Sequence, residues 1–440
     1  MANKFLIRSY NVGLGDCFYL RIPDGPKTIH VLIDCGTKGK ASVLKTAIDD
    51  IKTLLPVGSM PGKKRLDLIV ATHRHEDHIK GFDPAWFADV EIGHIWMTAM
   101  MDPNHEQAKK SQALDRKAIE LVAQLSPAAI ALSPDLQMLV SLFGIDNVGA
   151  EKALREELPA ANRIDPKYVV AGDTAASLGL GLQETKITVL GPEKDIDHFY
   201  LGKDIDQRLR GLTLFEQERR QSGKPIAKSS VPFNIGAGDF AKLQARMLSD
   251  AFAFAKESGE VINNSSVVLL IEWRNKRLLF VGDAEWHNHF EAGDKNGAWN
   301  VIWNQRKEHL NKRIDFLKIG HHGSINSTPW LQDGAVSEEV NQILDAILPK
   351  PTGNSKPKAK ALVSTERTIY PTIPHLPLLE ELSKRVGNTK NYKNAFDRIG
   401  FDTTVIQNFD LETSHFDRLQ PVRTDFECLL SGGIFAEIAI

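Results

Sequence analysis

Residues 66–81 read Leu-Asp-Leu-Ile-Val-Ala-Thr-His-Arg-His-Glu-Asp-His-Ile-Lys-Gly, an apolar strand running straight into a polar loop. That loop packs His73, His75, Asp77 and His78 into six residues. A strand emptying into a tight loop can aim several side chains at one point. Imidazole beside carboxylate is the donor set of a borderline cation such as zinc. With 14 His in 440 residues, three in one six-residue window beside an Asp are far denser than an even spread would leave.

Two later segments repeat the device. The run Ser-Val-Val-Leu-Leu-Ile-Glu-Trp from Ser266, an Arg-Asn-Lys-Arg turn and Leu-Leu-Phe-Val-Gly make a hairpin that delivers Asp283 at its end. Residues 314–324, Ile-Asp-Phe-Leu-Lys-Ile-Gly-His-His-Gly-Ser, end a third apolar run in His321 and His322. Gly-Asp alone is a common turn, and a His pair alone says little. Together the three strand ends make sense if their strands lie side by side and empty onto one edge.

Composition narrows the class. Apolar residues at 42% and charged residues at 25% are those of an ordinary globular protein. Lys+Arg 54 against Asp+Glu 56 leaves a formal charge of −2, so the whole molecule is no electrostatic magnet for nucleic acid. Cys17, Cys35 and Cys428 are too few for a disulfide framework, which fits a reducing compartment. The N-terminal residues lack a secretion-signal core, and no stretch reaches the roughly 20 apolar residues that span a bilayer. The expected location is therefore cytoplasmic, with no membrane partner.

Along the chain, strands are expected at 4–10, 18–22 and 28–34, with Pro23-Asp24-Gly25-Pro26 as the turn between the last two. A helix follows at 41–55. Residues 102–165 and 195–260 change character: Lys117–Leu125 and Asp135–Phe143 have helical spacing, and Gln217–Arg220 belongs to a second charged, helix-rich stretch. Both read equally well as insertions on a sheet core or as ordinary helices of it. Strand character returns at Tyr168–Ala171, Lys186–Leu190 and Ala361–Ser364, and Pro377–Val386 reads as a helix. The whole, 1–440, is expected to form a single α/β domain with a layered core.

At this level of detail the chain resembles the metallo-β-lactamase fold superfamily, whose metal motifs match His73-x-His75-x-Asp77-His78, Gly282-Asp283 and a late His. Its neighbouring phrases are Gly13-Leu-Gly-Asp-Cys17, Leu32-Ile-Asp-Cys-Gly36, Asn263-Asn-Ser-Ser-Val-Val-Leu269 and Leu317-Lys-Ile-Gly-His-His-Gly-Ser324. These look like the hydrolase domain of the competence channel ComEC and its free-standing relatives, and the segment around Pro374-His375 extends the likeness. The resemblance covers 4–99, 168–192, 262–324 and about 361–386. It implies an αββα sandwich with helical insertions and a metal site at one edge of the two sheets. It also implies that His73 and His75 hold one metal, Asp77 and His78 a second, and that Asp283 bridges them. His322 would complete the second site, with His321 as a phosphate-facing acid or oxyanion donor. Where most two-zinc members carry a further His before the strand at Ser265, this chain has Asn263-Asn264, an oxygen donor better suited to manganese than to zinc. One or two divalent ions are therefore expected, zinc first and manganese second.

Such ions make a nucleophile from water near neutral pH. Asp77 would orient that water, and Asp34 would orient a ligand His, with Asp16, Asn264, Ser324 and Lys318 nearby. The expected chemistry is hydrolysis, with phosphodiesters in nucleic acid or a small molecule favoured. His321-His322-Gly323-Ser324 suits a tetrahedral oxyanion, His375 adds a donor, and Lys318, Lys356, Lys358 and Lys360 offer backbone-tracking charge. A thioester or lactam hydrolase, or a non-catalytic binding or scaffold module, is the competing reading. A free-standing version also fits an effector with a protein partner in a multi-gene system.

Overall fold

The computed structural model describes residues 4–109, 112, 147–202, 259–331, 336–353, 355, 358–362, 364–366, 373–386 and 434–440. The expected helices Lys117–Leu125 and Asp135–Phe143, the stretch around Gln217–Arg220, Lys356 and Cys428 lie outside them.

Alternating apolar residues build two sheets. The first contains β1 (Leu6–Tyr10), β2 (Cys17–Asp24), β3 (Lys27–Cys35), β4 (Lys64–Ala71), β5 (Val90–Thr98) and β6 (Lys167–Val169) in that spatial order. The second has β7 (Thr185–Gly191), β8 (Val268–Trp273), β9 (Lys276–Phe280), β10 (Phe316–Lys318) and β11 (Lys360–Leu362), again as neighbours in sequence order. A last strand, β12 (Phe435–Ala439), pairs antiparallel with β1 and closes the outer edge of the first sheet. The β2–β3 hairpin turns at Gly25-Pro26, its last pair being Asp24 with Lys27.

The change of direction within each sheet matters for the site. β3, β4, β5 and β6 run parallel, whereas β1, β2 and β3 are antiparallel neighbours. In the other sheet β9, β10 and β11 run parallel. Each parallel group sends its carboxyl ends to one edge, where irregular loops can carry chemistry.

Period-two side-chain alternation sorts the core into layers. Phe18, Leu20, Val31, Ile33, Leu68 and Val70 of the first sheet meet Leu269, Ile271, Leu278, Phe280 and Phe316 of the second. On the outer face of the first sheet, Leu32, Ile69 and Ala71 pack against Leu44, Ala47, Ile48 and Ile51 of the helix Ala41–Leu54. On the outer face of the second, Leu270, Leu279 and Leu317 pack against Trp299, Ile302 and Trp303 of Ala298–Leu310 and against Ile343 and Leu344 of Glu338–Ile347. Helices on both outsides and two sheets between them are the αββα sandwich the resemblance implied. Trp286, Trp299 and Trp303 thus serve the core.

Within 102–165 the described part is helical, from Asn147–Lys152 through Leu158–Asn162, with Leu154 and Leu158 buried against the first sheet. No helix among the described residues is long and apolar enough to cross a membrane.

Phe280 is the cross-sheet anchor, its ring 6.2 Å from Phe18 and 5.3 Å from Phe316. Truncating a buried Phe costs about 3–5 kcal/mol through lost burial and the cavity left behind. Phe280→Ala is therefore expected to lower the denaturation midpoint by that equivalent without changing the m-value. Urea titration followed by circular dichroism measures it.

Candidate metal centre

Three strand ends converge as their spacing requires. β4 ends at Ala71, Thr72 follows, and His73 to His78 fill the loop and the short helix Glu76–Ile79. β9 leads to Gly282-Asp283, and β10 leads to the turn His321–Gly323. His73 Nε2 lies 3.1 Å from His75 Nδ1 and 3.9 Å from Asp283 Oδ2. His78 Nε2 is 3.2 Å from the same Asp283 oxygen. His322 Nε2 is 3.1 Å from Asp77 Oδ2 and 3.8 Å from Asp283 Oδ2. Asp283 therefore stands between the two ends of the site.

The backbone is bent to achieve this. Among the described residues, Asp34, His321 and His322 are three of five non-glycine positions with positive φ, at 56°, 41° and 50°. Each costs about 1 kcal/mol or more, and such strain collects where surrounding contacts impose a special geometry. Two glycines permit the close approaches. A methyl group on Gly36 would overlap the Asp77 backbone, and one on Gly282 would come within 2.8 Å of Ser266 Cβ and 3.0 Å of Thr72 Cβ. The Gly13–Cys17 loop braces the ligand loop through Asp16 N–H donating to the Asp77 carbonyl at 2.9 Å.

Supporting contacts fix the rings. Asp34 Oδ2 accepts from His78 Nδ1 at 2.8 Å, and its two oxygens accept from Thr72 N–H and Thr72 O–H at 2.7 Å each. Ser266 Oγ sits 3.3 Å from His73 Nδ1 and accepts from Asp283 N–H at 3.2 Å. His322 Nδ1 meets the Ser364 carbonyl at 2.9 Å. With one nitrogen anchored, each of His78 and His322 presents Nε2 to the centre.

Electrostatics are extreme because nearly everything is buried. Burial opposes a charged His78, yet Asp283 and Asp34 outweigh it and push its pKa well above the usual value. Burial, with His78 and His75 beside it, drives His73 well below. Burial alone dominates His75, which falls to about 3. Asp77 and Asp283 are both held well below the carboxylate range despite burial, the first by Lys38 and His322, the second by His78 and His322. Burial raises Asp34. Four buried carboxylates, Asp16, Asp34, Asp77 and Asp283, thus face two ammonium groups, Lys318 and Lys38. With the His78 ring cationic as well, that leaves a formal deficit of about one positive charge, which buried protein does not tolerate uncompensated.

A metal cation answers that deficit, and the donor atoms fit a cation. His73, His78 and Asp283 bring ligand atoms within 4.8 Å of one another, as do Asp77, His78 and His322, and Asp16, Asp34 and His78. His75 Nε2 is buried without a hydrogen-bond partner, while His78 Nε2 has the Asp283 carboxylate at 3.2 Å. An orphaned buried polar atom costs about 1–3 kcal/mol, so His75 Nε2 points to a missing partner.

The remaining sequence candidates take other roles. Lys318 stands beside the site as expected but not as backbone-tracking charge: its Nζ donates to the Gly282 carbonyl at 2.8 Å and pairs with Asp16, so at 2% exposure it neutralises the interior. Lys360 likewise is a strand residue whose Nζ donates to the Ala439 carbonyl at 2.8 Å. Ser324 donates its hydroxyl to Asn326 Oδ1 at 2.7 Å within the turn. Asn264 spends its oxygen on Ala298 N–H at 2.8 Å and Glu285 N–H at 3.2 Å, so it supports Glu285 and a helix start. His375 precedes the helix Leu376–Ser383, and its N–H donates to the Gly323 carbonyl at 2.7 Å, beside the His321–Gly323 turn. Burial lowers its pKa. His321 does not join the buried donors. Its Nδ1 lies 2.8 Å from Glu285 Oε1, which outweighs burial and raises it to about 9.

Thr72, Ser266, Lys38 and Glu285 carry contacts that sequence reasoning passed over. Lys38 Nζ is 3.5 Å from Asp77 Oδ1. Only Glu285 had a local signal, two residues past Asp283 on the same strand end.

No protein-family description and no curated protein matches the chain. Among solved structures it is similar to CmlA, a diiron β-hydroxylase from Streptomyces venezuelae. The TM-score is 0.28 and the identity 12%, over 79% of this chain and 44% of that one. It is also similar to a β-lactamase domain protein from Burkholderia ambifaria, with TM-score 0.26 and 11% identity over 99% of this chain and 91% of that one. This chain spans less than half the length of the first. Superpositions this loose decide nothing about its chemistry, which rests on its own sheets and side chains.

Because Asp34 fixes the His78 ring, Asp34→Asn is expected to weaken divalent-metal affinity by about 10–100-fold with the fold intact. Competition against a chromophoric chelator measures it. Unchanged affinity would show that the ring needs no carboxylate to hold it.

Proposed function

We propose that this chain is a metal-dependent hydrolase of phosphodiesters, acting on nucleic acid or a small phosphodiester. The observation that carries the reading is the buried cluster of His73, His75, Asp77, His78, Asp283 and His322, with its orphaned His75 Nε2 and surplus of negative charge. His73 and His75 with Asp283 would hold one ion, and Asp77, His78 and His322 with Asp283 a second. Histidine and carboxylate donors suit zinc, and the oxygen share also admits manganese.

When bound, the ion supplies a nucleophile from water at neutral pH and polarises the attacked oxygen. The protein's own residues do the rest. Asp77 turns Oδ2 toward His322 and leaves Oδ1 near Lys38, so it stays ionised and can orient a water. Asp34 and the Ser364 carbonyl keep the His78 and His322 rings from swinging. Lys318 and Asp16 form a buried pair that steadies Asp283 from behind. Burial of these groups excludes bulk water and strengthens each of their interactions.

The phosphodiester preference is supported by the His321–Ser324 turn. His321 is the one histidine of this cluster with appreciable exposure, 28% of its side chain, and its imidazole is a donor suited to an anionic oxygen. His375, just before the helix Leu376–Ser383, is backbone-bonded to that turn.

Protein purified without chelator is expected to retain one or two divalent ions. Incubated with manganese or zinc, it should cleave one or more of single-stranded DNA, double-stranded DNA, RNA, cyclic nucleotides or bis-p-nitrophenyl phosphate. Asp77→Ala should lower that rate by about a hundredfold or more. Metal-loaded protein that cleaves none of these, but hydrolyses a thioester or a lactam, would replace the substrate class. A variant at Asp77 that keeps full biological effect would favour a binding module.

A further inference from the structure

Glu285 is a fully buried carboxylate, 1% exposed, lying just beyond the proposed metal donors. A buried carboxylate needs partners, and those around it are specific. Asn263 Nδ2 donates to Oε1 at 2.9 Å, and Asn264 Nδ2 reaches Oε2 at 3.5 Å. Glu285 N–H donates back to Asn264 Oδ1 at 3.2 Å, so the two asparagines clamp both the backbone and the carboxylate. What the clamp holds in place is His321. Its Nδ1 is 2.8 Å from Oε1, and its Nε2 is 3.4 Å from Asn263 Nδ2.

The placement of His321 gives the clamp a purpose. His73, His75, His78 and His322 are at most 3% exposed, whereas 28% of the His321 side chain is open. Its own N–H donates to Asp283 Oδ1 at 3.0 Å, which ties the residue to the proposed bridging carboxylate. The rings of His321 and His322 are 6.5 Å apart. An imidazole so placed is open to solvent and stands beside the proposed metal donors. Left alone, an exposed side chain samples several rotamers, and fixing it in advance removes that cost from binding.

We infer that Glu285, clamped by Asn263 and Asn264, is a positioning residue that holds the His321 ring to hydrogen-bond the non-bridging oxygens of a bound phosphoryl group. The inference rests on the phosphodiester reading and assigns that reading an oxyanion-recognition arm separate from the metal donors. The Asn263-Asn264 pair, standing where a metal-binding histidine was expected, then serves the substrate's side of the site through Glu285.

The test is a double-mutant cycle read by calorimetric titration of inorganic phosphate into the metal-loaded full chain. Wild type, Glu285→Gln, His321→Ala and the double variant are compared, with metal content and thermal melts recorded for each. Each single change is expected to weaken phosphate binding by about tenfold, as loss of a charge-assisted hydrogen bond does. The double variant should bind no more weakly than either single variant, because both remove one interaction. Metal content should be unchanged. Should Glu285→Gln melt too early to titrate, Asn263→Ala replaces it in the cycle and is expected to weaken phosphate binding in the same direction. Wild-type phosphate affinity in the Glu285 variant, penalties that multiply in the double variant, or metal loss that tracks the phosphate defect would each overturn the inference. A wild type that binds metal but neither binds phosphate nor cleaves any phosphodiester would overturn the underlying functional reading, and the inference with it.

Discussion

The pairing of His78 with Asp34 on one side and Asp283 on the other is the contact around which the molecule is organised. His78 belongs to the first sheet's ligand loop, Asp34 to the end of β3, and Asp283 to the second sheet. One buried ring therefore joins both sheets at their common edge. Buried charge of this kind is tolerated only where partners are complete, so each residue of the cluster constrains its neighbours. The left-handed backbone at Asp34, His321 and His322 and the tight approaches at Gly36 and Gly282 are consequences of meeting that demand.

Charge also explains the division of labour among residues that look alike in sequence. Lys318 and Lys38 are both lysines near carboxylates, yet Lys318 is sealed behind Asp16 and Asp283 while Lys38 approaches Asp77. His321 and His322 are consecutive, yet one faces Glu285 and the other faces Asp77. The tight turn, with both residues at positive φ, is what sends adjacent imidazoles in different directions. The buried donors and the half-open ring are thereby set apart in space.

Most strands were legible because alternation and turn residues mark them. The expected segments 4–10, 28–34 and Lys186–Leu190 correspond to β1, β3 and β7 within about two residues at each end. β5 had no comparable local mark. Glu91 and His94 interrupt its apolar run, and Asn162 caps its pairing from a distant helix by accepting from Ile92 N–H. The pairing of β12 with β1 joins residues more than four hundred positions apart, which no local pattern encodes. At the site, the donor residues were legible as motifs, whereas Thr72 and Ser266 were not. Their types are ordinary, and only the approach of other strands gives them their partners.

What the sequence determined by itself was chemistry in short windows: apolar runs that end in His and Asp, and the spacing that lets one loop present several donors. What tertiary structure alone decided was which atoms face one another. Residues 34, 78, 283 and 322 come from four separate segments, and their separations of about 3–4 Å exist only because two sheets pack face to face with their parallel strands emptying at one edge. Side-chain type is local information, but compensation of buried charge depends on every neighbour at once. That is why Lys318, read from its sequence as charge that could track a substrate backbone, becomes the counter-charge of the interior.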